Sequence, residues 1–233
     1  MSETTALQVA ETARKAGVRL TAHGPYAINL NSADAEKAEA SKERILKTAR
    51  IGKLCGAESI VFHAGFYGEC TPEQAYSVMK RVLAGILEQL KREGIGLAVR
   101  AELTGKISDF GNLDELVRLS SDVPGLAPCI DFSHLHARTG EYNTYNEFVS
   151  VLKRLESGLG RQTLDSLHAH ISGIKYGPHG ENSHLPLKES DFRYEDLLRA
   201  FRDYSVKGFI ICESPNLEDD ALLLRDTFLS LDS

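Results

Sequence analysis

The chain has 233 residues, 42% of them hydrophobic, and a formal net charge of −6, a length that buries one sizeable core, so residues 1–233 are expected to form a single domain. The acidic balance by itself argues against a nucleic-acid partner, because phosphate binding draws on Lys and Arg; bound divalent cations would reverse the sign of the potential a ligand meets at their face. Cys55, Cys70, Cys129 and Cys212 lie in separate segments without a C-x-x-C pair, which excludes a zinc ribbon or disulfide framework and fits a reducing, cytoplasmic setting.

Residues 3–16 carry an amphipathic helical pattern with Ala6, Val9, Ala10 and Ala13 on one side. It lacks the continuous apolar stretch of a signal peptide, and no later segment approaches a membrane span, so a soluble protein without a membrane partner is expected. Strand-like runs then alternate with helical patterns: strand 18–23, helix 33–55, strand 58–63, helix 72–93, strand 96–102, helix 111–120, strand 127–131. Helix 143–157, strand 166–171, helix 193–204, strand 208–213 and helix 217–230 complete the alternation. Strands separated by helices mean βαβ units and a parallel sheet. The natural closure is an α/β barrel of the TIM (β/α)8 type, here with about six strands, so two strands and a helix are expected to be missing at the front. Strand 18–23 is then an open edge, through which self-association is expected.

The strand ends carry the chemistry. They finish on His23, His63, Glu102, Asp131 with His134, His170 and Glu213. An unpaired buried charge costs several kcal/mol, so six ionisable strand ends imply a site, and in parallel α/β folds ligands gather at those ends. Imidazole with carboxylate suits zinc, manganese or iron, and a carboxylate such as Glu102 can bridge two ions where an imidazole cannot. Asp131 and His134 both reach the site if the chain bends into a loop there. His168, two before His170 on the same strand face, is expected to be a core residue or to orient a ligand. The segment "GIKYGPHGENSHLPL" holds His179, Glu181 and His184 among glycines and prolines and is expected to be a functional loop. His136 is expected to face solvent on a loop.

The motifs "AHGPYAINLN", "FHAG", "AELTG", "CIDFSHLHA", "HISG" and "CESPN" resemble those of the endonuclease IV family, in particular its archaeal branch, from about residue 5 to the C-terminus. The resemblance implies a trinuclear zinc TIM barrel that cuts duplex DNA on the 5′ side of abasic sites, with two to three zinc ions, or manganese or another divalent metal, as cofactor. It implies that His23 and His63 hold one ion, bridged by Glu102 to a second held by Asp131, His170 and Glu213. His134 would anchor the third with His184 and Glu181, although the family supplies an Asp-x-His pair where this chain has Glu181-x-x-His184. Catalytic roles fall to Glu102, which would hold the attacking hydroxide, and to Glu213 in proton handling. Tyr26 matches a tyrosine that packs near the flipped abasic sugar. Lys106, Arg138 and Lys175 are candidate phosphate contacts.

Two alternatives remain at this level. A sugar isomerase or epimerase of the xylose isomerase-like barrels needs one divalent ion on a quartet that Glu102, Asp131, His170 and Glu213 would supply, but not the further histidines as ligands. A barrel that keeps its metals and has lost catalysis is the other, because the first loops, which insert into DNA in the nuclease family, are missing here.

Overall fold

Glycines and side-chain caps punctuate the helices. The computed structural model describes residues 1–231. Ser2 caps α1 (Glu3–Ala16) by accepting from the Thr5 N–H, and Gly17 ends it at φ 66°, a left-handed conformation that a residue without Cβ adopts freely. Asp34 caps α2 (Ala35–Cys55) in the same way. Thr71 and Gln74 form a reciprocal capping box at the start of α3 (Pro72–Arg92), whose buried Ala75, Tyr76, Met79, Leu83, Ile86 and Leu90 recur at helical spacing.

The described residues divide into two compact units, one of residues 1–102 with 118–127, the other of 103–117 with 128–231. In the first, β1 (Ala22–His23), β2 (Ser59–Phe62) and β3 (Ala98–Glu102) pair in parallel, with Ala22 opposite Ile60 and Ile60 opposite Val99. β2 is buried at every position, as a strand covered on both faces must be. Of the strand expected over 18–23 only two residues form ladder, although the Leu20 carbonyl still accepts from the Glu58 N–H. Paired ions tie the helices together: Arg50 of α2 grips Glu93, and Arg118 grips Glu73 while its guanidinium lies 3.9 Å from the centre of the Tyr76 ring.

The second unit holds β4 (Leu126–Asp131), whose residues from Pro128 onward belong to it, β5 (Leu167–Ile171) and the last of the parallel strands. That last strand is Gly208–Cys212, and its His168↔Phe209 and Ile171↔Cys212 pairs set its parallel register on β5. Between these strands run α5 (Phe132–Thr139), α6 (Tyr145–Leu159), the short α7 (Gln162–Asp165) and α8 (Tyr194–Asp203), and α9 (Glu218–Ser230) follows the last. Its α4 (Leu113–Asp122) is shared in sequence with the first unit. Phe132, Phe148, Phe192 and Phe201 pack edge to face with ring centres 5.3–6.0 Å apart, forming its apolar heart. Among the described residues, six parallel strands in the order β1 to β5 and then the last strand alternate with helices, the α/β class of TIM-type folds.

Two expectations change here. The segment after β5 is no loop: β6 (Gly173–Gly177) and β7 (Gly180–Leu185) form an antiparallel hairpin, so the last parallel strand is β8. A bare glycine is required at Gly173, where an added Cβ would lie 2.7 Å from the Leu185 carbonyl. His136, expected in solvent, is 3% exposed inside α5. Asp131 starts that helix as its cap, accepting from the His134 N–H at 2.7 Å, which turns the His136 ring against Tyr176, 4.9 Å away. Its Nδ1 donates to the Glu141 carbonyl.

Candidate metal centre

In the first unit, β1 and β3 end on His23 and Glu102, and His63 follows β2 directly. His23, His63 and Glu102 each offer one ligand atom within 4.8 Å of the others. Glu102 is 1% exposed. Its Oε2 receives His23 Nε2 at 2.8 Å and His63 Nε2 at 3.2 Å. The tautomer of His23 follows from its other nitrogen, which lies 2.6 Å from the Gly24 carbonyl oxygen. A carbonyl only accepts, so Nδ1 carries the hydrogen and a neutral ring turns a lone pair at the carboxylate. Two acceptors at 2.8 Å repel unless a cation, a proton or a metal, sits with them.

The second unit repeats this logic. His134, buried in α5, directs Nδ1 at the Leu103 carbonyl, 3.0 Å away. His184 of β7 directs Nδ1 at the Glu213 carbonyl, also at 3.0 Å. Both rings therefore point the lone pair of Nε2 at each other, across 3.1 Å. Hydrogen-bonding one ring nitrogen to a backbone carbonyl is how proteins fix the other for metal ligation. Glu181 completes this set, 3.5 Å from His134 and 3.8 Å from His184, and Asp131, His134 and His184 each offer one ligand atom within 4.8 Å of the others. Asp131 opposes His170 across β4 and β5, and these two with Glu213 offer three further donors within 4.8 Å of one another. The His170 ring reaches the Glu213 carboxylate at 3.2 Å.

Asp131 tests whether a metal fits. One oxygen caps α5, while the other, Oδ2, is fully buried and accepts no hydrogen bond, its contact with His134 Nδ1 being a long 3.4 Å. Orphaned buried acceptors are rare and costly, and a carboxylate oxygen beside converging imidazoles is a donor that a divalent ion satisfies. The residues present therefore fit metal ions.

Supporting residues that the sequence did not mark hold these segments. The Ser133 hydroxyl donates to the Ser172 carbonyl at 2.7 Å and accepts from the Ser172 N–H at 2.8 Å, joining the Asp131–His134 turn to the end of β5. Burial pushes the Asp220 carboxyl up, but hydrogen bonds from the Ser214 hydroxyl, the Leu187 N–H and the Asn216 amide outweigh it and hold it below its usual range. Those bonds tie the chain just after His184 to the chain just after Glu213. Nothing in the sequence pattern distinguishes Ser133 or Asp220 from ordinary helix residues.

Around these groups, Tyr26 is 86% exposed with its ring centre 6.0 Å from that of His23 and 6.4 Å from that of His63. Lys106 and Lys175 are exposed. Arg138 directs its guanidinium inward, donating to the Thr104 hydroxyl at 3.0 Å and to the Thr104 and Lys106 carbonyls, so it braces the loop that carries Lys106. His168 is fully buried on β5, and no described helix is long and apolar enough to cross a membrane.

The family model for the xylose isomerase-like TIM barrel matches residues 1–231. An uncharacterized protein of Methanocaldococcus jannaschii is 43% identical over 212 residues, 91% of this chain and 77% of that protein. A probable endonuclease 4 of Geobacillus sp. is 27% identical over 218 residues, covering 91% of this chain and 67% of the relative. Among solved structures, endonuclease IV from Thermus thermophilus aligns with a TM-score of 0.73 at 24% identity, covering 97% of this chain and 81% of that one. A D-tagatose 3-epimerase-like protein aligns with a TM-score of 0.78 at 17% identity, covering 99% and 84%. At these identities the two structures share the fold.

Proposed function

The chain belongs to the xylose isomerase-like TIM barrel family, and on that premise we propose that it is a metal-dependent DNA repair endonuclease that hydrolyses the phosphodiester 5′ to an abasic site in duplex DNA. The probable endonuclease 4 that aligns with most of its length supports the reading. The observation that carries it is the facing pair His134 and His184, whose tautomers are fixed by backbone carbonyls. A sugar isomerase or epimerase on one ion has no use for that pair, nor for His23 and His63, as ligands.

Three donor sets divide the work in this reading. His23, His63 and Glu102 would hold one ion; Asp131, His170 and Glu213 would hold a second; His134 and His184 with Glu181 would hold a third. Zinc suits this mixture of imidazole and carboxylate, and manganese is the alternative. Clustered divalent ions supply positive charge at a phosphoryl group and make water more acidic. Against a formal chain charge of −6, they also supply the cationic surface that a phosphodiester needs.

The chain's own groups do the rest. Glu213 stands against the His170 ring and is placed to move a proton at its carboxylate, while Glu102 takes His23 and His63 on one oxygen. Tyr26 offers an exposed ring beside the first donor set, against which an abasic sugar packs, and Lys106 and Lys175 contact flanking phosphates, with Arg138 holding the Lys106 loop in shape. A nucleotide without a base is cheap to extrude, which contributes selectivity. Elemental analysis of protein purified without chelator tests the reading. Two to three divalent ions per chain are expected at the usual four to six ligands each, and one or fewer supports the single-metal isomerase instead.

A further inference from the structure

Beneath Asp131 and His170 lies a second layer of donors that the divalent sets do not use. β4 and β5 run parallel with Asp131 opposite His170 and Ile130 opposite Ala169. One step further down the ladder, Cys129 stands level with His168. Alternate residues of a strand share a face, so Cys129 lies on the face of Asp131, and His168 on that of His170. The Cys129 sulfur and one nitrogen from each of His168 and His170 lie within 4.8 Å of one another. Cys129 and His168 are 0% exposed and His170 is 2% exposed. The two imidazoles meet edge to face with centres 5.2 Å apart, and Phe209 walls His168 at 5.6 Å.

We propose that Cys129, His168 and His170 form a buried three-coordinate site for a soft monovalent cation, Cu(I), that shares His170 with the divalent centre. Three properties of the site select the ion. One thiolate with two imidazoles is a soft donor set without hard oxygen. The set offers three donors, whereas zinc ordinarily takes four and a filled-shell monovalent ion is satisfied by three. Charge agrees: Cu(I) with one thiolate is neutral, so the ion enters the interior without adding net charge to it. Binding is a balanced exchange in which the ion enters, the Cys129 thiol proton leaves to solvent, and no oxidation state changes.

Sharing His170 has a consequence that rests on the proposed function. A ring committed to the deeper ion is lost to the set it forms with Asp131 and Glu213, so Cu(I) and the second divalent ion bind competitively, each weakening the other by the same factor. Soft-metal stress then acts on the enzyme from below its own site.

Anaerobic titration with Cu(I) against a chromogenic Cu(I) chelator, on the full chain, tests the assignment. The parent and Cys212→Ser, a control for an uninvolved thiol, should each take up one tightly held Cu(I). Even residues that only hydrogen-bond to a ligand are worth about 10- to 100-fold in metal affinity, so Cys129→Ser and His168→Gln, which lose a ligand, should bind about 100-fold more weakly or worse. X-ray absorption of the parent complex should report one sulfur and two nitrogen donors. Circular dichroism establishes which variants fold; if Cys129→Ser does not, His168→Gln, which keeps a polar side chain in place, decides. Undiminished Cu(I) affinity in a folded variant, or several sulfur donors, overturns the site. In protein loaded with divalent metal, Cu(I) uptake should release one divalent ion. Uptake without release overturns the sharing of His170, and failure to load divalent metal while Cu(I) uptake persists counts against the proposed function alone.

Discussion

Replacing Ser133 with alanine isolates one of the supports of the candidate centre. Its hydroxyl makes two hydrogen bonds, to the Ser172 carbonyl at 2.7 Å and from the Ser172 N–H at 2.8 Å, and both residues are 0% exposed. Removing it strands a buried donor and a buried acceptor in an interior that admits no water. Each such group costs about 1–3 kcal/mol, so Ser133→Ala should destabilise the protein by about 2–6 kcal/mol. The comparison is Ser77→Ala, whose exposed hydroxyl donates to the Glu73 carbonyl of its own helix at 2.9 Å and whose loss should stay within about 0.5 kcal/mol. Urea unfolding of both variants with chelator present avoids stabilisation by bound metal. A loss below about 1 kcal/mol for Ser133→Ala would show that the turn relaxes without its lock, and that the bonds to Ser172 do not hold the Asp131–His134 segment to β5.

His184→Ala should release about one ion per chain and lower cleavage of abasic-site DNA without abolishing it, read by elemental analysis beside a nicking assay; unchanged metal content would remove His184 from the ligands. Gly105→Ala should weaken the same ion, because a Cβ there would meet the Glu181 Cβ at 2.6 Å and the His134 ring at 3.1 Å; a metal titration indistinguishable from the parent's would contradict this. Hydrogen bonding to the Arg50 guanidinium, then to Gln89, lowers the Glu93 carboxyl from 4.5 to about 2. A depressed carboxylate stabilises the fold above its ordinary pKa, and that contribution fades as pH falls through the folded value. The difference in melting temperature between the parent and Glu93→Gln should therefore be constant above about pH 5 and close between about pH 4.5 and 2. An undiminished difference at about pH 2 would rule out the ion pair as its source.

The barrel class and the gathering of ionisable residues at strand ends were legible in the sequence, because a buried strand has few reasons to end on His23, His63, Glu102, Asp131, His170 or Glu213 and alternation with helices is a long-range pattern. Short elements were not. Phe132–Thr139 follows its strand without a linker, and Asp131 serves both as strand end and as helix cap, so periodicity marks no boundary there and places His136 in solvent. The hairpin at Gly173–Leu185 escaped because its polar, glycine-rich sequence mimics a loop; its register comes from the backbone approach at Gly173. The grouping of His134 with His184 came from the family resemblance and not from the residue pattern. Their separation of 50 residues carries no local signal, and the tautomers depend on the carbonyls of Leu103 and Glu213. The edge strand shrank from six expected residues to Ala22–His23, which also blunts the open edge on which the expected self-association depends.

Incubation of the zinc-loaded protein with duplex DNA carrying a single abasic-site analogue, with both products resolved and their ends identified, tests the central claim most directly. The account predicts one incision on the 5′ side of the lesion, leaving a 3′ hydroxyl, lost on chelation and lost in Glu102→Gln, which removes the only carboxylate of the His23–His63 set. Intact DNA, together with interconversion of ketose epimers by the same preparation, would contradict it and assign the barrel to sugar chemistry.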